Sequence, residues 1–402
     1  MRTFRSVFWL VPTIILAACT KTEAPDFGAP LAIEIPTTGD VSGPRFSTGP
    51  DDRLLLSWME ASGSGTTLRY AALVNGKFLD PADVVTDAQM FVNWADLPSV
   101  TAFNEDHWIA HWLRYSAPKT YSYDVVVSQS QDGGKTWGAP LTAHSDDTQT
   151  EHGFVSIAPD PDGATLLWLD GRNTPDKSMT LRTALVTPGG RISREQELDD
   201  TVCDCCQTDV AITADGPIAV YRDRTSEEIR DIYVTRSLDG RWQPGRRLYP
   251  DNWKIPGCPV NGPSVVASGS KVAVAWFSAA NDQPVVRILR SRDGGATFGD
   301  AIEIARGRIA GFVGLAMLED ESVAVSWVAR NEDLTNTVLV RHVDTAGDPG
   351  PALSVGQSGQ LRLFPQLAFV DGNLYVAWTD EVEGSKQLKV VRITVSNRGQ
   401  SS

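Results

Sequence analysis

Four of the five cysteines lie in two short segments that could hold a metal ion, form disulfide bonds or carry out thiol chemistry. Cys203, Cys205 and Cys206 lie within "TVCDCCQTDV", and Cys258 lies in "IPGCPVNGP", more than fifty residues later. Thiolate sulfur favours soft ions such as Cu(I) and Zn(II), whereas cysteines in an oxidising compartment usually pair. The chemistry therefore depends on whether the fold joins the two segments and on the compartment that holds the protein.

Three arrangements of these cysteines remain open from the sequence. The first has two disulfides, one from the 203–206 cluster to Cys258 and one between neighbouring cysteines of the cluster. The second has one disulfide to Cys258 and two free thiols, available for redox exchange or for Cu or Zn. The third is a four-thiolate metal site, to which His152 could add a ligand. An oxidising compartment favours the first, although adjacent cysteines can close only a strained ring.

The N-terminal segment indicates the compartment. Two arginines precede an apolar run over residues 7–18, which is too short to span a membrane and ends in "LAAC" at Cys19. This pattern resembles the lipobox of bacterial lipoproteins. The resemblance implies a signal peptide over 1–18, a lipid on Cys19 and a tether over 19–30. Because Thr20 follows the cysteine, it also implies the outer membrane, with the protein facing the periplasm or the cell surface.

The composition limits the partners. The chain has 36 Lys and Arg against 50 Asp and Glu, a formal net charge of −14. This balance argues against nucleic acid as a partner and against electrostatic binding to anionic lipid. We therefore expect the lipid to be the only membrane contact, and the 42% of hydrophobic residues to form a large soluble core.

A short apolar segment that ends in an aromatic residue recurs seven times, at intervals of 51 to 56 residues. The aromatic residues are Trp58, Trp112, Trp168, Tyr221, Trp276, Trp327 and Trp378. Each segment follows another strand-like segment and precedes an alternating third and a weaker fourth, which is typical of β-strands. The repeat predicts an all-β fold, a seven-bladed β-propeller of four-stranded antiparallel blades over 31–396, with the aromatic side chains in its core.

The two ends of this region complement each other. The seventh repeat stops after its third strand signal, "QLKVVRITV", at Val395, whereas "LAIEI" over residues 31–35 belongs to no other repeat. We predict that this N-terminal strand completes the last blade and closes the ring, which removes two exposed sheet edges. Residues 397–402 are predicted to be a disordered tail.

The turn after the third strand carries a specific motif. "SQDGGKTW" over 130–137 and "SRDGGATF" over 291–298 match S-x-D-x-G-x-T-W/F, and "SLDGRW" over 237–242 is a shortened copy. These turns resemble the Asp boxes, or BNR repeats, of the sialidase superfamily. An aspartate there can accept N–H groups across the turn, and glycine permits positive φ. The three aspartates, predicted to be structural, are Asp132, Asp239 and Asp293.

The resemblance implies exo-sialidase chemistry and, as an alternative to seven blades, the six of the family's enzymes. Those enzymes use an arginine cluster that binds the substrate carboxylate, an Asp acid/base and a Tyr nucleophile activated by a Glu. A Phe-Arg-Ile-Pro segment usually supplies the first arginine. Here that place reads "GPRF", so Arg45 is in a similar position without the motif.

Propeller geometry predicts which polar residues share a face. The loop that enters a blade and the loop between its second and third strands lie on one face, which also brings Cys258 beside the 203–206 cluster. The predicted binding residues for an anionic sugar are Arg45, Arg114, Arg172, Arg222, Arg224 and Trp94. The predicted catalytic residues are Asp170, Asp223 and Tyr115, with Asp380 as a further acid. Alternatively, each arginine pairs with a neighbouring acid and only solvates a loop.

We therefore expect a glycan-directed envelope protein, either a divergent exo-glycosidase or a lectin-like binder of anionic carbohydrate. The alternative is a non-catalytic propeller whose cysteine cluster binds a soft metal or a partner protein. A third hypothesis is a scaffold for protein assembly.

Overall fold

The computed structural model describes residues 26–49, 53–160, 162–174, 177–360 and 362–396. The predicted signal peptide, Cys19, most of the tether and the predicted C-terminal tail lie outside the described residues. The described chain is all-β, with 31 strands and one three-residue 3₁₀ turn, Ala280–Asp282. None of its helical segments has the length and apolar character that crossing a bilayer requires.

Two short strands, β1 (Asp26–Phe27) and β2 (Leu31–Ile33), precede the first three blades. Blade 1 contains β3 (Val41–Thr48), β4 (Leu54–Ser62), β5 (Gly65–Val74), β6 (Lys77–Phe78) and β7 (Ala82–Asp87). Blade 2 contains β8 (Ser99–Ala102), β9 (Trp108–Tyr115), β10 (Tyr123–Ser130) and β11 (Leu141–Thr142). Blade 3 contains β12 (His152–Asp160), β13 (Gly163–Asp170), β14 (Thr180–Val186) and β15 (Ile192–Asp199).

The remaining strands form four more blades. Blade 4 contains β16 (Asp209–Thr213), β17 (Gly216–Arg222), β18 (Ile232–Leu238), β19 (Arg241–Trp242) and β20 (Arg246–Arg247). Blade 5 contains β21 (Ser264–Ser268), β22 (Lys271–Ser278), β23 (Val285–Ser291) and β24 (Ile302–Arg306). Blade 6 contains β25 (Ile309–Met317), β26 (Val323–Arg330), β27 (Asn336–Val343) and β28 (Pro349–Ser358). Blade 7 contains β29 (Gln366–Val370), β30 (Asn373–Val382) and β31 (Ser385–Ser396).

The seven sheets close into a ring. The first strand of each blade contacts the first strand of the next, from β3 through β8, β12, β16, β21, β25 and β29 back to β3. Both N-terminal strands pair antiparallel with β31, β2 in the register Leu31 to Arg392, and so complete blade 7. The seven-bladed propeller and its closure by the N-terminal strand are confirmed, and the six-bladed alternative is wrong.

The recurring aromatic side chains lie in the core, as predicted. Five are fully buried, and Trp327 and Trp378 are 2% and 3% exposed. In five blades the polar edge of the aromatic donates a hydrogen bond to a carboxylate of Glu60, Asp87, Asp170, Asp199 or Asp251. In blades 1, 2, 3 and 5 an arginine pairs with the same carboxylate: Arg69, Arg114, Arg172 and Arg287. We call this arrangement, in which one carboxylate accepts the hydrogen bond of the aromatic residue and pairs with an arginine, the carboxylate clamp.

The two full Asp-box turns have the contacts expected of turn-closing aspartates. The Asp132 carboxylate accepts hydrogen bonds from the backbone N–H (2.9 Å) and the hydroxyl (2.6 Å) of Thr136, and Asp293 has the same contacts with Thr297. These bonds lower the pKa of Asp132 to about 2. Asp239 lies in the tight turn between β18 and β19 with φ of 50°, a conformation that aspartate tolerates.

Candidate functional site

The central channel has a volume of about 810 Å³ and is lined by the first strands of the blades. Trp94, from the loop that enters blade 2, packs against Phe312 of blade 6 and Phe364 before blade 7, with ring centroids 6.1 and 5.5 Å away. The Arg362 guanidinium lies 4.9 Å from the centre of the Trp94 ring. Trp94 therefore reaches across the mouth of the channel, where its ring is half-buried.

Arg45 lies inside this channel. Its Nη1 donates to the carbonyl oxygen of Val155 at 2.8 Å, and its charge acts on Asp96 and Asp209. Burial raises the pKa of both carboxyls, that of Asp96 to about 7, although backbone N–H groups and Arg45 oppose the shift. Arg45 thus belongs to the lining of the channel, where it donates to backbone carbonyl oxygens.

The other arginines predicted to bind substrate already have acceptors in the protein. Arg114 Nε lies 2.5 Å from Asp87, Arg172 Nε 2.8 Å from Asp170, and Arg224 Nη2 2.6 Å from Glu228. Arg222 is buried and donates to the carbonyl oxygens of Asn261, Arg230 and Phe277 at 2.6–2.9 Å. Arg172 and Arg224 thus pair with acids close to them in sequence, the alternative that the sequence left open, whereas Arg222 does not. A role of these arginines in substrate binding stays a prediction.

The cysteines meet at one corner, as the repeat predicts, and form two disulfides. Cys205 bonds to Cys258 and so joins the loops that enter blades 4 and 5. Cys203 bonds to Cys206, which corrects the expected pairing of neighbouring cysteines. Their Cα atoms are 6.0 and 5.7 Å apart, within the normal range. With both disulfides formed, a Cu or Zn site here would require their reduction.

His152 has other partners than the cysteines. Its Nε2 lies 2.8 Å from the carboxylate of Asp146, and its ring stacks on that of His144. These contacts lie at the junction of blades 2 and 3. The suggestion that His152 could add a ligand to the cysteine cluster stays a prediction.

Two acidic residues come together beside the cysteine corner. Asp199 ends β15 of blade 3 and accepts a hydrogen bond from the Tyr221 hydroxyl at 2.6 Å. Asp223 follows β17 of blade 4 and is 8% exposed. Burial and, second, the charge of Asp199 raise the pKa of Asp223 to about 7, against weaker effects of Tyr233 and Arg247. We call Asp199 and Asp223 the blade-4 acid pair.

Strand alternation explains why this pair forms. On β17, Tyr221 and Asp223 share one face, whereas Arg222 between them points towards Trp253 and blade 5. Tyr233 of β18 lies directly opposite Tyr221. A backbone bridge from Asp223 to Val202 ties the pair to the cysteine loop. The arrangement combines a carboxyl group that holds its proton near neutral pH with a second carboxylate and two phenols.

The structure separates the three residues predicted to be catalytic. Asp170 is a clamp carboxylate: burial would raise its pKa, but hydrogen bonds from Arg172 and Trp168 and the charge of His152 lower it to about 2. Tyr115, 39% exposed, packs edge-on against Phe91 in blade 2. Among the described residues no hydrogen bond joins Tyr115 to Asp170 or Asp223. Their catalytic roles stay predictions, and Asp223 alone lies in an acid pair.

Sequence reasoning missed two features of this face. The Tyr123 hydroxyl donates to the Glu151 carboxylate, and burial raises the pKa of both groups. Tyr123 is the first residue of a strand, so a search for loop tyrosines passes over it. Asp199 ends a weak fourth strand and belongs to no motif. Its role is visible only in the fold, where it accepts a hydrogen bond from Tyr221 of the next blade. Asp380 of blade 7, the further predicted acid, accepts a hydrogen bond from Ser358 at the end of blade 6.

No protein-family model matches the sequence, and no curated protein matches it. Among solved structures, the chain is similar to the α-L-arabinofuranosidase Arb93A from Fusarium graminearum, with 12% identity, a TM-score of 0.52 and coverage of 92% of this chain and 98% of that one. It is also similar to the phage phi92 endosialidase, with 8% identity, a TM-score of 0.52 and coverage of 93% of this chain and 70% of that one. The polysaccharide lyase Uly1 is similar with 10% identity, a TM-score of 0.50 and coverage of 88% of this chain and 90% of that one. At such identities the likeness establishes the shared fold alone.

Proposed function

We propose that the protein is a glycan-directed envelope protein that cleaves a glycosidic bond by acid–base chemistry at the blade-4 acid pair. The observation that carries this proposal is the burial of Asp223 beside Asp199 and the phenols of Tyr221 and Tyr233, a setting that raises the pKa of Asp223 to about 7. A general acid must hold a proton at the working pH, and burial next to a second carboxylate is how proteins keep one there. Glycoside hydrolysis commonly uses two such carboxyl groups, one protonated and one ionised.

The surrounding residues have definite roles in this proposal. Asp223 donates a proton to the leaving oxygen, and Asp199, held by the Tyr221 hydroxyl, accepts the proton of the water that attacks the anomeric carbon. Arg247 is 37% exposed and lies 3.6 Å from the Asp231 carboxylate, and its remaining N–H groups can bind a polar or anionic substituent of the sugar. Three structurally similar proteins, an arabinofuranosidase, an endosialidase and a polysaccharide lyase, support a glycan as the ligand class. Sialidase-like specificity is the narrower form of the proposal.

The proposed location is the bacterial envelope, with a lipid on Cys19 that holds the propeller at the outer membrane. Two disulfides are consistent with an oxidising compartment. Mass spectrometry of the membrane-extracted protein should find a lipid on Cys19, and Cys19→Ala should release the propeller from the membrane fraction. A membrane-bound Cys19→Ala protein would contradict the anchor.

Turnover of a panel of fluorogenic glycosides tests the activity. The panel includes a sialoside and an α-L-arabinofuranoside, with polysaccharides assayed by reducing ends. Asp223→Asn should lower kcat by about 100-fold or more, because the variant cannot donate the proton. Wild-type activity should fall as the pH rises through about 7, where Asp223 loses its proton.

The matched control is Asp239→Asn, an exposed aspartate in the turn between β18 and β19 of the same blade, which should keep full activity. Equal turnover by Asp223→Asn and the wild type would refute the catalytic role of the acid pair. If the wild type turns over no substrate but binds a glycan array, the lectin-like form of the proposal replaces the enzyme.

A second candidate function is the binding of a soft metal or a partner protein by the cysteine corner in its reduced form. The sulfur atoms of Cys203, Cys205 and Cys206 lie within 4.8 Å of one another, close enough for thiolates to share one Cu or Zn ion after reduction. Thiol titration with elemental analysis of the purified protein decides between the forms. No free thiol and no bound metal would leave the disulfides as blade fasteners.

A further inference from the structure

A cluster of imidazole and carboxylate groups lies at the junction of blades 2 and 3, independent of the blade-4 acid pair. Asp124 belongs to β10, His144 follows β11, and His152 begins β12. His144 and His152 are 7% and 0% exposed, whereas the Asp124 side chain is 26% exposed. The cluster therefore has a buried nitrogen-rich side and one carboxylate that reaches solvent.

Asp146 orients both imidazoles. His144 Nδ1 lies 3.1 Å from the Asp146 carbonyl oxygen, and His152 Nε2 lies 2.8 Å from the Asp146 carboxylate. Both partners are acceptors, so Nδ1 of His144 and Nε2 of His152 carry the hydrogens. In a neutral His144 ring, Nε2 is then left with a lone pair.

These two nitrogens face the same carboxylate oxygen. His144 Nε2 and His152 Nδ1 each lie 3.7 Å from Asp124 Oδ1. His144 Nε2 is buried and has no hydrogen-bond partner, a costly state for a polar atom. His152 Nδ1 donates a long hydrogen bond of 3.3 Å to the Tyr123 carbonyl oxygen, which a bound ion would replace. An electrophile between the three groups would give His144 Nε2 the partner that it lacks.

We infer that Asp124, His144 and His152 bind a borderline divalent transition-metal ion such as Zn²⁺, with Asp146 as the residue that positions both histidines. Two imidazoles and one carboxylate with an open position form a common zinc ligand set. In a tetrahedral zinc site with bonds of about 2.0–2.1 Å, ligand atoms lie about 3.4 Å apart, close to the 3.7 Å between Asp124 Oδ1 and each of the two nitrogens. An oxygen that accepts a hydrogen bond from the other ring nitrogen of each ligating histidine is the usual support of such sites.

Metal binding requires one rearrangement. The two rings stack with centroids 4.0 Å apart and planes 11° apart, and a metal ion must lie near the plane of each ring it binds. The rings therefore turn out of the parallel stack towards Asp124. Because the ligands come from β10 and from the chain entering blade 3, the bound ion fastens these blades together.

Neighbouring groups are less suited to the ion. Asp170 lies 3.8 Å from His152 Nε2, but its oxygens accept hydrogen bonds from Arg172 and Trp168. The four cysteines of the described chain are in disulfides. The ligand set is therefore Asp124, His144 and His152.

The test uses the mature chain, stripped with a chelator and kept under non-reducing conditions. Calorimetric titration with Zn²⁺ should show one equivalent bound per chain, and Zn²⁺ should raise the Tm. Titration with Co²⁺ should give visible d–d bands without the intense near-ultraviolet band of thiolate ligation. His144→Gln should weaken Zn²⁺ binding by more than about 100-fold, and Asp146→Ala by about 10- to 100-fold.

His342→Gln is the matched control, because His342 is buried in blade 6 and both its ring nitrogens lack partners. It should leave the stoichiometry and the affinity unchanged. If His144→Gln fails to fold, Asp124→Asn decides, since this more exposed substitution should abolish the Zn²⁺-dependent rise in Tm. No stoichiometric binding by the wild type, unchanged binding by a folded ligand variant, or a thiolate band would overturn the inference.

Discussion

Blades 3 and 4 carry an aromatic residue at the same place in the repeat, but the groups around it differ. Opposite Trp168 on the next strand lies Arg182, whereas opposite Tyr221 lies Tyr233. Among the described residues no arginine pairs with Asp199, the carboxylate that accepts the hydrogen bond of Tyr221. The same register position thus holds an arginine, 4.0 Å from Asp170, in blade 3 and an uncharged tyrosine in blade 4.

The difference shows that burial does not by itself decide the protonation of a carboxyl group. Both Asp170 and Asp223 are buried, which raises the pKa of each. In blade 3, Arg172 and Trp168 reverse that effect and leave an ionised anchor with a pKa of about 2. In blade 4, the charge of Asp199 adds to the effect of burial and raises the pKa of Asp223 to about 7, so that Asp223 is the proton holder of this blade. Blade 3 is thus stabilised by the ion pair of Asp170 with Arg172, whereas the loop that enters blade 4 is held by two disulfides.

The largest effect should come from removing the anchor of blade 3. Asp170→Asn removes the fully buried partner of Arg172, which keeps its contact with Glu195, and this loss should lower the free energy of unfolding by about 3–5 kcal/mol. The measurement is urea-induced unfolding at pH 7.5. The pKa of Asp170 is depressed, so its contribution is present above the unfolded value of 3.8 and is lost as the pH falls towards about 2.

Glu197→Gln provides the control for that prediction. Glu197 is 38% exposed and pairs with Arg182 on the same sheet, so its loss should cost less than about 1 kcal/mol. Equal effects of the two variants would show that the clamp is not the anchor of blade 3.

The next effect concerns the disulfides of blade 4. The double variant Cys205→Ser with Cys258→Ser opens a cross-link between residues 53 positions apart and should lower the free energy of unfolding by about 4 kcal/mol. Cys203→Ser with Cys206→Ser opens a much shorter loop and should cost about 2 kcal/mol. Both are measured by urea-induced unfolding without reductant. If the first pair costs less than about 1 kcal/mol, the cross-link does not fasten blade 4.

The sequence predicts the parts of this comparison that depend on spacing. Aromatic residues at regular intervals predict the blades, and topology alone brings Cys258 to the 203–206 cluster. The partners of the carboxylates depend instead on strand register, which the pattern does not define. Arg222 and Asp223 are neighbours in one charged run, yet strand alternation sends the arginine to blade 5 and the aspartate to Asp199. Disulfide pairing within the cluster likewise depends on the path of a loop.

The smallest change in the free energy of unfolding should come from substitution of Asp223, the proton holder. It should be a gain in stability, whereas substitution of Asp170 gives a loss. Asp223 has a raised pKa, so the folded state binds more protons than the unfolded one between pH 3.8 and about 7. Stability is therefore full below the unfolded pKa and is lost as the pH rises through about 7. Asp223→Asn removes this loss and should stabilise the protein at pH 8 by about 1–2 kcal/mol, after allowance for partial hydration of the carboxyl.

Urea-induced unfolding at pH 4 and pH 8 measures that gain, which should vanish at pH 4, where Asp223 is protonated in the folded state. Asp199→Asn should give a gain of the same sign at pH 8, because it removes the charge that raises the pKa of Asp223. Destabilisation by Asp223→Asn at pH 8 would mean that Asp223, like Asp170, is an ionised anchor. Blades 3 and 4 would then be fastened by the same electrostatics, and the basis for a general acid in blade 4 would be lost.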